Sequence, residues 1–152
     1  MSAVSPEEVK ASELEKALEN ERSAYTEKMS SLLYMIGDIA KISESQVLML
    51  SYRHMLVDKL VKYRAAVYKK KANDLNYRKL RYEYYKTSHN VRLEYREIKE
   101  FIDSDMALRS RQTDLLENQI NFCSQSIDTL DKMGFAIKAK IQIEEMNYRN
   151  GI

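Results

Sequence analysis

The sequence predicts an all-α protein, and three observations carry that prediction. Helix breakers are scarce, with one proline, Pro6, and three glycines, Gly37, Gly134 and Gly151, in 152 residues. Leu, Lys, Glu, Ala, Arg and Met, which lose little on entering a helix, are plentiful. Apolar residues recur three and four positions apart over long stretches, the spacing that gathers them on one side of a helix.

In chain order, Ser5-Pro6-Glu7-Glu8 starts the first helix, with Ser5 as cap, Pro6 in the first helical position and Glu8 closing a capping box. Leu14, Leu18, Tyr25, Met29, Leu32, Ile36 and Ile39 form its apolar seam. Gly37 lies near the end of that seam and Ser43-Glu44-Ser45-Gln46 reads as a second capping box, so a break is expected between Gly37 and Ser43. A long second helix carries Met49, Leu56, Leu60, Tyr63 and Val67, then turns polar and basic through about Lys86. Thr87-Ser88-His89-Asn90 is the weakest helical tetrapeptide and marks a loop. Asp103-Ser104-Asp105 offers a cap to a further helix with Leu108, Leu115, Leu116, Ile120, Phe122, Cys123, Ile127 and Leu130. Gly134 is expected to end it, leaving a shorter C-terminal segment with Phe135, Ile137, Ile141, Ile143 and Met146.

The expected organisation is a single all-helical domain over 1–152: an N-terminal helix (1–42), a long helix with the basic block (43–99), and C-terminal helices (100–152). Apolar seams in the first and last helices exceed what two or three helices of one chain cover. A homo-oligomer larger than a dimer is therefore expected.

Composition removes several classes of function. The one cysteine, Cys123, allows no internal disulfide, and the two histidines, His54 and His89, cannot assemble a transition-metal site alone. A reducing cytoplasm fits. The longest uncharged stretch, Asn118 to Ile127, falls far short of the ~18 residues of a membrane span. The start MSAVSPEEVK has acids where a secretory signal needs a basic region and an apolar core. There is no Gly-rich phosphate loop, nucleophile elbow, HExxH or paired-cysteine motif, so neither catalysis nor a cofactor is expected. Cys123, between Phe122 and Ser124 on an apolar face, reads as a buried structural thiol.

The formal charge is only +2, but it is unevenly distributed. Residues 62–99 hold twelve Lys or Arg against four Asp or Glu, while 1–52 and 100–152 are both acidic. Seven of the eleven tyrosines lie inside the basic block, most densely in NYRKLRYEYYKT, residues 76–87. Proteins that bind single strands combine a positive track with flat rings on which bases stack, and this stretch has both. On a helix Lys71, Arg78, Arg81, Tyr85 and Arg92 recur at 7, 3, 4 and 7, so cations and a ring share a face. Tyr85 is the expected stacking ring and Tyr84 the expected packing ring. The rival is a structural coiled-coil adaptor whose basic block pairs with the chain's own acidic ends. A membrane-surface helix would want Leu, Phe or Trp opposite the cations, where this one has Tyr, Ala and Asn.

Two segments carry a resemblance. Phe122-Cys123-Ser124, Asp128 and Gly134-Phe135-Ala136-Ile137-Lys138 follow one another at the intervals of the C-terminal segment of the UvsY family, recombination mediators of T-even-like phages. Lys79-Leu80-Arg81, Glu83 and Tyr84-Tyr85 resemble the family's Lys-x-Arg, acid and Tyr-Tyr. The resemblance covers residues 103–145 and 75–86; residues 87–100 are Arg- and Glu-rich where the family is Gly- and Asp-rich. It implies a non-enzymatic protein of the infected bacterial cytoplasm, without cofactor, that forms a ring-like homo-oligomer of roughly six or seven subunits. Such a protein binds single-stranded DNA and helps the UvsX recombinase displace the phage single-strand-binding protein. The family's DNA-contacting Lys-x-Arg maps onto Lys79 and Arg81, and Arg78, Lys71, Lys86, Tyr85 and Tyr82 complete the candidate DNA-binding set. The oligomerisation segment maps onto Phe122, Ile127, Leu130, Phe135, Ile137 and Ile141.

Overall fold

Residues 5–152 are described by a computed structural model that is all-helical, with three α-helices and no strand among those residues. The helices are α1 (Pro6–Ile36), α2 (Ile42–Glu83) and α3 (Tyr95–Arg149). The capping box starts α1 as the sequence predicts: the Glu8 N–H donates to Ser5 Oγ at 3.2 Å and the Ser5 N–H to Glu8 Oε2 at 2.8 Å. Ala11, Leu18, Tyr25 and Leu32, seven apart, are its buried residues. Leu14, Met29 and Ile36 are half-buried, while Ile39 lies beyond the helix and is exposed.

The break falls between Ile36 and Ile42, inside the expected span, but Ser43 does not cap the second helix. Asp38 takes the capping role, accepting from the Ala40 N–H at 3.0 Å to open a 3₁₀ turn, Ile39–Lys41, that leads straight into α2. The exposed end of α1 is closed from α3, where Lys140 Nζ donates to the carbonyls of Ile36 at 3.1 Å and Gly37 at 2.9 Å.

α2 gives way at Tyr84 to a π-helical turn, Tyr84–Ser88, and the chain is irregular over 89–94. From Tyr95, α3 runs unbroken for 55 residues. This corrects three expectations: no helix starts at Asp103, Gly134 ends none, and the C-terminal helix is the longest rather than a shorter segment. The aspartates serve another purpose, Asp103 and Asp105 accepting from Arg78 and Arg81 of α2. A single helical glycine costs only about 1 kcal/mol relative to alanine. The buried Leu130, Met133 and Ile137 on either side of Gly134 offset that.

Contacts divide the chain into two units, each taking a stretch of all three helices. The first runs through Glu19 and then covers Lys62–Gln119. Its buried residues include Ala11, Leu18, Val67 and Leu116, with a cluster of Tyr85, Ile98, Ile102 and Met106 against which Tyr77, Tyr82 and Leu93 pack. The second covers Asn20–Val61 and Ile120–Ile152, and buries Tyr25, Leu32, Ile42, Met49, Leu56, Cys123, Leu130, Met133 and Ile137.

Candidate nucleic-acid interface

Within the first unit the inward side of α2 keeps its three-and-four spacing but changes chemistry. Tyr63, Val67, Lys70, Asp74, Tyr77, Arg81 and Tyr85 are all buried or half-buried. Lys70 Nζ donates to Asp74 Oδ2 at 3.0 Å, Arg109 Nη1 donates to Asp74 Oδ1 at 3.1 Å, and the Arg109 guanidinium lies 4.0 Å from the Tyr77 ring centroid. Further along, Arg81 Nε donates to Asp105 Oδ2 at 2.8 Å, Arg81 Nη2 donates to the Tyr85 hydroxyl at 2.9 Å, and that hydroxyl donates to Asp105 Oδ2 at 2.7 Å. The three side chains close a ring of hydrogen bonds. Asp105 and then Tyr85, by accepting its hydrogen bonds, push the Arg81 guanidinium above its ordinary range. Burial, then the bond to Asp105, pushes the Tyr85 phenol up.

The outward side forms a groove. Arg78, Lys79 and Tyr82 of α2 meet Tyr95 and Lys99 of α3 around an opening of about 360 Å³ that Leu75, Ile102 and one acid, Glu83, also line. Among the described residues neither Lys79 nor Lys99 has an ion-pair partner, and both are exposed. Arg78 reaches Asp103 only at 3.4 Å. Lys86 Nζ lies 5.9 Å from the Tyr82 ring centroid, and Tyr95 is 72 % exposed. Cations able to meet phosphates and rings able to meet bases therefore share one concave surface.

The sequence-predicted residues divide. Arg78, Lys79 and Tyr82 line the groove and Lys86 stands against Tyr82. Lys71 lies elsewhere, on Glu117 at 2.6 Å. Arg81 and Tyr85 belong to the inward row, which corrects the expected helical phase: Tyr85 is 7 % exposed and Tyr84 is 42 % exposed, so Tyr85 packs and Tyr84 faces out. The reason is that the inward row is itself polar here, so hydropathy does not mark it. Tyr95 and Lys99 were not among the predicted residues. Their signal was a place inside the basic block and a spacing of 4 and 3 that runs on to Ile102, but a groove shared by two helices is not visible in the period of either.

In the second unit Leu130 and Ile137 are buried within the chain's own core. Phe122 is half-buried with its ring 6.5 Å from Tyr25, and Ile127 and Ile141 are half-buried. Phe135 is 74 % exposed, beside the exposed Val47 and Leu50 in an apolar groove of about 800 Å³ bordered by the Arg53–Asp131 ion pair. Cys123 is fully buried, as its setting in the sequence predicts, and burial pushes its thiol up to about 11. Among the described residues no group of three or more His, Cys, Asp or Glu is placed to hold a metal ion, and no helix is long and apolar enough to cross a membrane.

Residues 42–152, more than half of the chain, match the family described as "Recombination, repair and ssDNA binding protein UvsY". The matched span holds α2 and α3, and with them the whole groove. Comparison with curated proteins and with solved structures gives no match.

Proposed function

Because the chain belongs to the UvsY family of recombination, repair and single-stranded-DNA-binding proteins, we propose that it is a recombination mediator. It holds single-stranded DNA in the α2–α3 groove and helps load the UvsX recombinase onto strands covered by the phage single-strand-binding protein. It does so without catalysis, in the cytoplasm of the infected bacterium. The observation that supports this reading is the convergence of Arg78, Lys79 and Lys99 with Tyr82 and Tyr95 on one open surface. Lys79 and Lys99 carry charges that no acid of the described chain neutralises. A closed ring of roughly six or seven copies would present that surface repeatedly to one strand, so that weak single contacts add up to firm binding.

One observation favours the adaptor reading: Lys71 pairs with Glu117, Arg78 with Asp103 and Arg81 with Asp105, so part of the basic block is matched by acids of α3. The two readings separate in one experiment. Labelled oligo-dT is titrated against the protein across a salt series. A DNA binder gives an affinity that falls steeply with salt, with a slope of about 0.7 per phosphate contact. An adaptor gives no binding at any salt, and that outcome would remove the proposal.

A further inference from the structure

We infer that Phe101 is a stacking site for an unpaired nucleobase, an inference that rests on the reading that this unit binds single-stranded DNA. The Tyr85 and Phe101 rings lie 24° from parallel with centroids 5.3 Å apart, a stacked pair at the α2–α3 turn. Its inner member is fixed. Tyr85 is buried, and its hydroxyl is held by Asp105 and Arg81. Its outer member is 44 % exposed, although a phenylalanine has no polar tip to hydrate. The His89 ring borders both, with centroids 5.7 Å from Tyr85 and 6.2 Å from Phe101.

A base laid on the free side of Phe101 would continue this stack as its third member. The ring is already held in place by Tyr85, so little rotamer freedom is lost on binding. The surroundings are aromatic and polar: Tyr84, 42 % exposed, and His89 cluster with the Tyr85–Phe101 pair, Arg81 lies over the Tyr84 and Tyr85 rings, and Glu97 and Ser104 lie four and three positions from Phe101 on α3. An apolar partner needs a contiguous patch. A base needs one ring and tolerates polar groups at its edges.

The site is separate from the groove. Lys99 and Phe101 point about 200° apart around α3, so Phe101 does not line the groove. The ring therefore adds to the groove without duplicating it.

The chain has no tryptophan, so Phe101→Trp places a single indole at the position. Oligo-dT is expected to quench its emission saturably, with affinity at or above that of the unaltered protein. Phe101→Leu keeps most of the buried apolar area but removes the ring. It is expected to weaken oligo-dT binding about fivefold to a hundredfold, with the salt slope and helical content unchanged. Binding of Phe101→Leu equal to that of the unaltered chain, or indole emission that stays constant while oligo-dT binds, overturns the inference and leaves the groove standing. An unaltered chain that binds no oligo-dT overturns the groove and Phe101 together.

Discussion

Arg81 and Asp105 face one another between α2 and α3, Nε to Oδ2 at 2.8 Å, with side chains only 29 % and 26 % exposed. The guanidinium also donates to Tyr85 and lies 4.6 Å from the Tyr84 ring centroid. This arginine occupies the third position of the Lys-x-Arg motif, yet its charge is met inside the unit. It holds the end of α2 against α3 and sets the Tyr85 ring on which Phe101 stacks.

Arg81→Ala is expected to act through the fold. It leaves the Asp105 carboxylate and the Tyr85 hydroxyl short of partners in a part-buried place, which costs about 1–3 kcal/mol and lowers the urea midpoint. The salt slope of oligo-dT binding should change little in the fraction that remains folded. A slope flattened by about 0.7 at an unchanged midpoint would instead make Arg81 a phosphate ligand whose bond to Asp105 opens on binding.

Lys79→Ala combined with Lys99→Ala should do the opposite. Neither ammonium has a partner among the described residues, so stability should stay within about 0.5 kcal/mol, as for most surface changes. Loss of two phosphate contacts should flatten the salt slope by about 1.4 per subunit engaged. An unaltered slope with weakened binding would mean that the groove positions rings and not phosphates.

The helices were legible in the sequence because composition and spacing agreed, and the Ser5 capping box is a local signal that depends on four residues. Helix ends inside 100–152 were misread because Asp103, Asp105 and Gly134 look like punctuation when their partners are unknown. Ion pairs to another helix and a well-filled core decide otherwise. The groove was half legible. Arg78, Lys79 and Tyr82 stood out by charge and aromaticity, but the phase of α2 could not be taken from hydropathy where the inward row reads Lys70, Asp74, Tyr77 and Arg81. Counting the three-and-four spacing forward from Met49 and Leu56 through Tyr63 would have placed that row inside. Burial of cations beside acids and rings is what hydropathy misses.

The Cys123 thiol gives a pH signature. Burial, and next the nearby Glu21, raise it from an ordinary 9.0 to about 11, with Lys59 opposing. A group whose folded value lies above its unfolded value contributes stability that is full below the unfolded value and is lost as pH rises through the folded one. Unfolding free energy should therefore fall from about pH 9 toward 11. Tyr25 and Tyr85 are also raised, but from 10.0, so between 9 and 10 the cysteine carries the largest single share of the decline. Urea midpoints measured across that window should decline more steeply in the unaltered protein than in Cys123→Ala. Equal declines in both would show that the thiol does not carry the effect.

Phe135 and Ile137 are two residues apart on α3 and should behave as opposites. Ile137 is 0 % exposed in the core of the second unit, so Ile137→Asp buries an unpaired charge and should unfold that unit at a cost of several kcal/mol. Phe135 opens onto the apolar groove beside Val47 and Leu50. Phe135→Asp should leave the urea midpoint and helical content nearly unchanged while reducing the mass seen by light scattering, if that groove is where copies of the chain meet. Because assembly multiplies contacts along one strand, the same variant should lose affinity for long oligo-dT far more than for an oligomer short enough to touch one subunit. Full mass in Phe135→Asp would move the contact between copies to another surface, and equal losses for long and short DNA would separate assembly from binding.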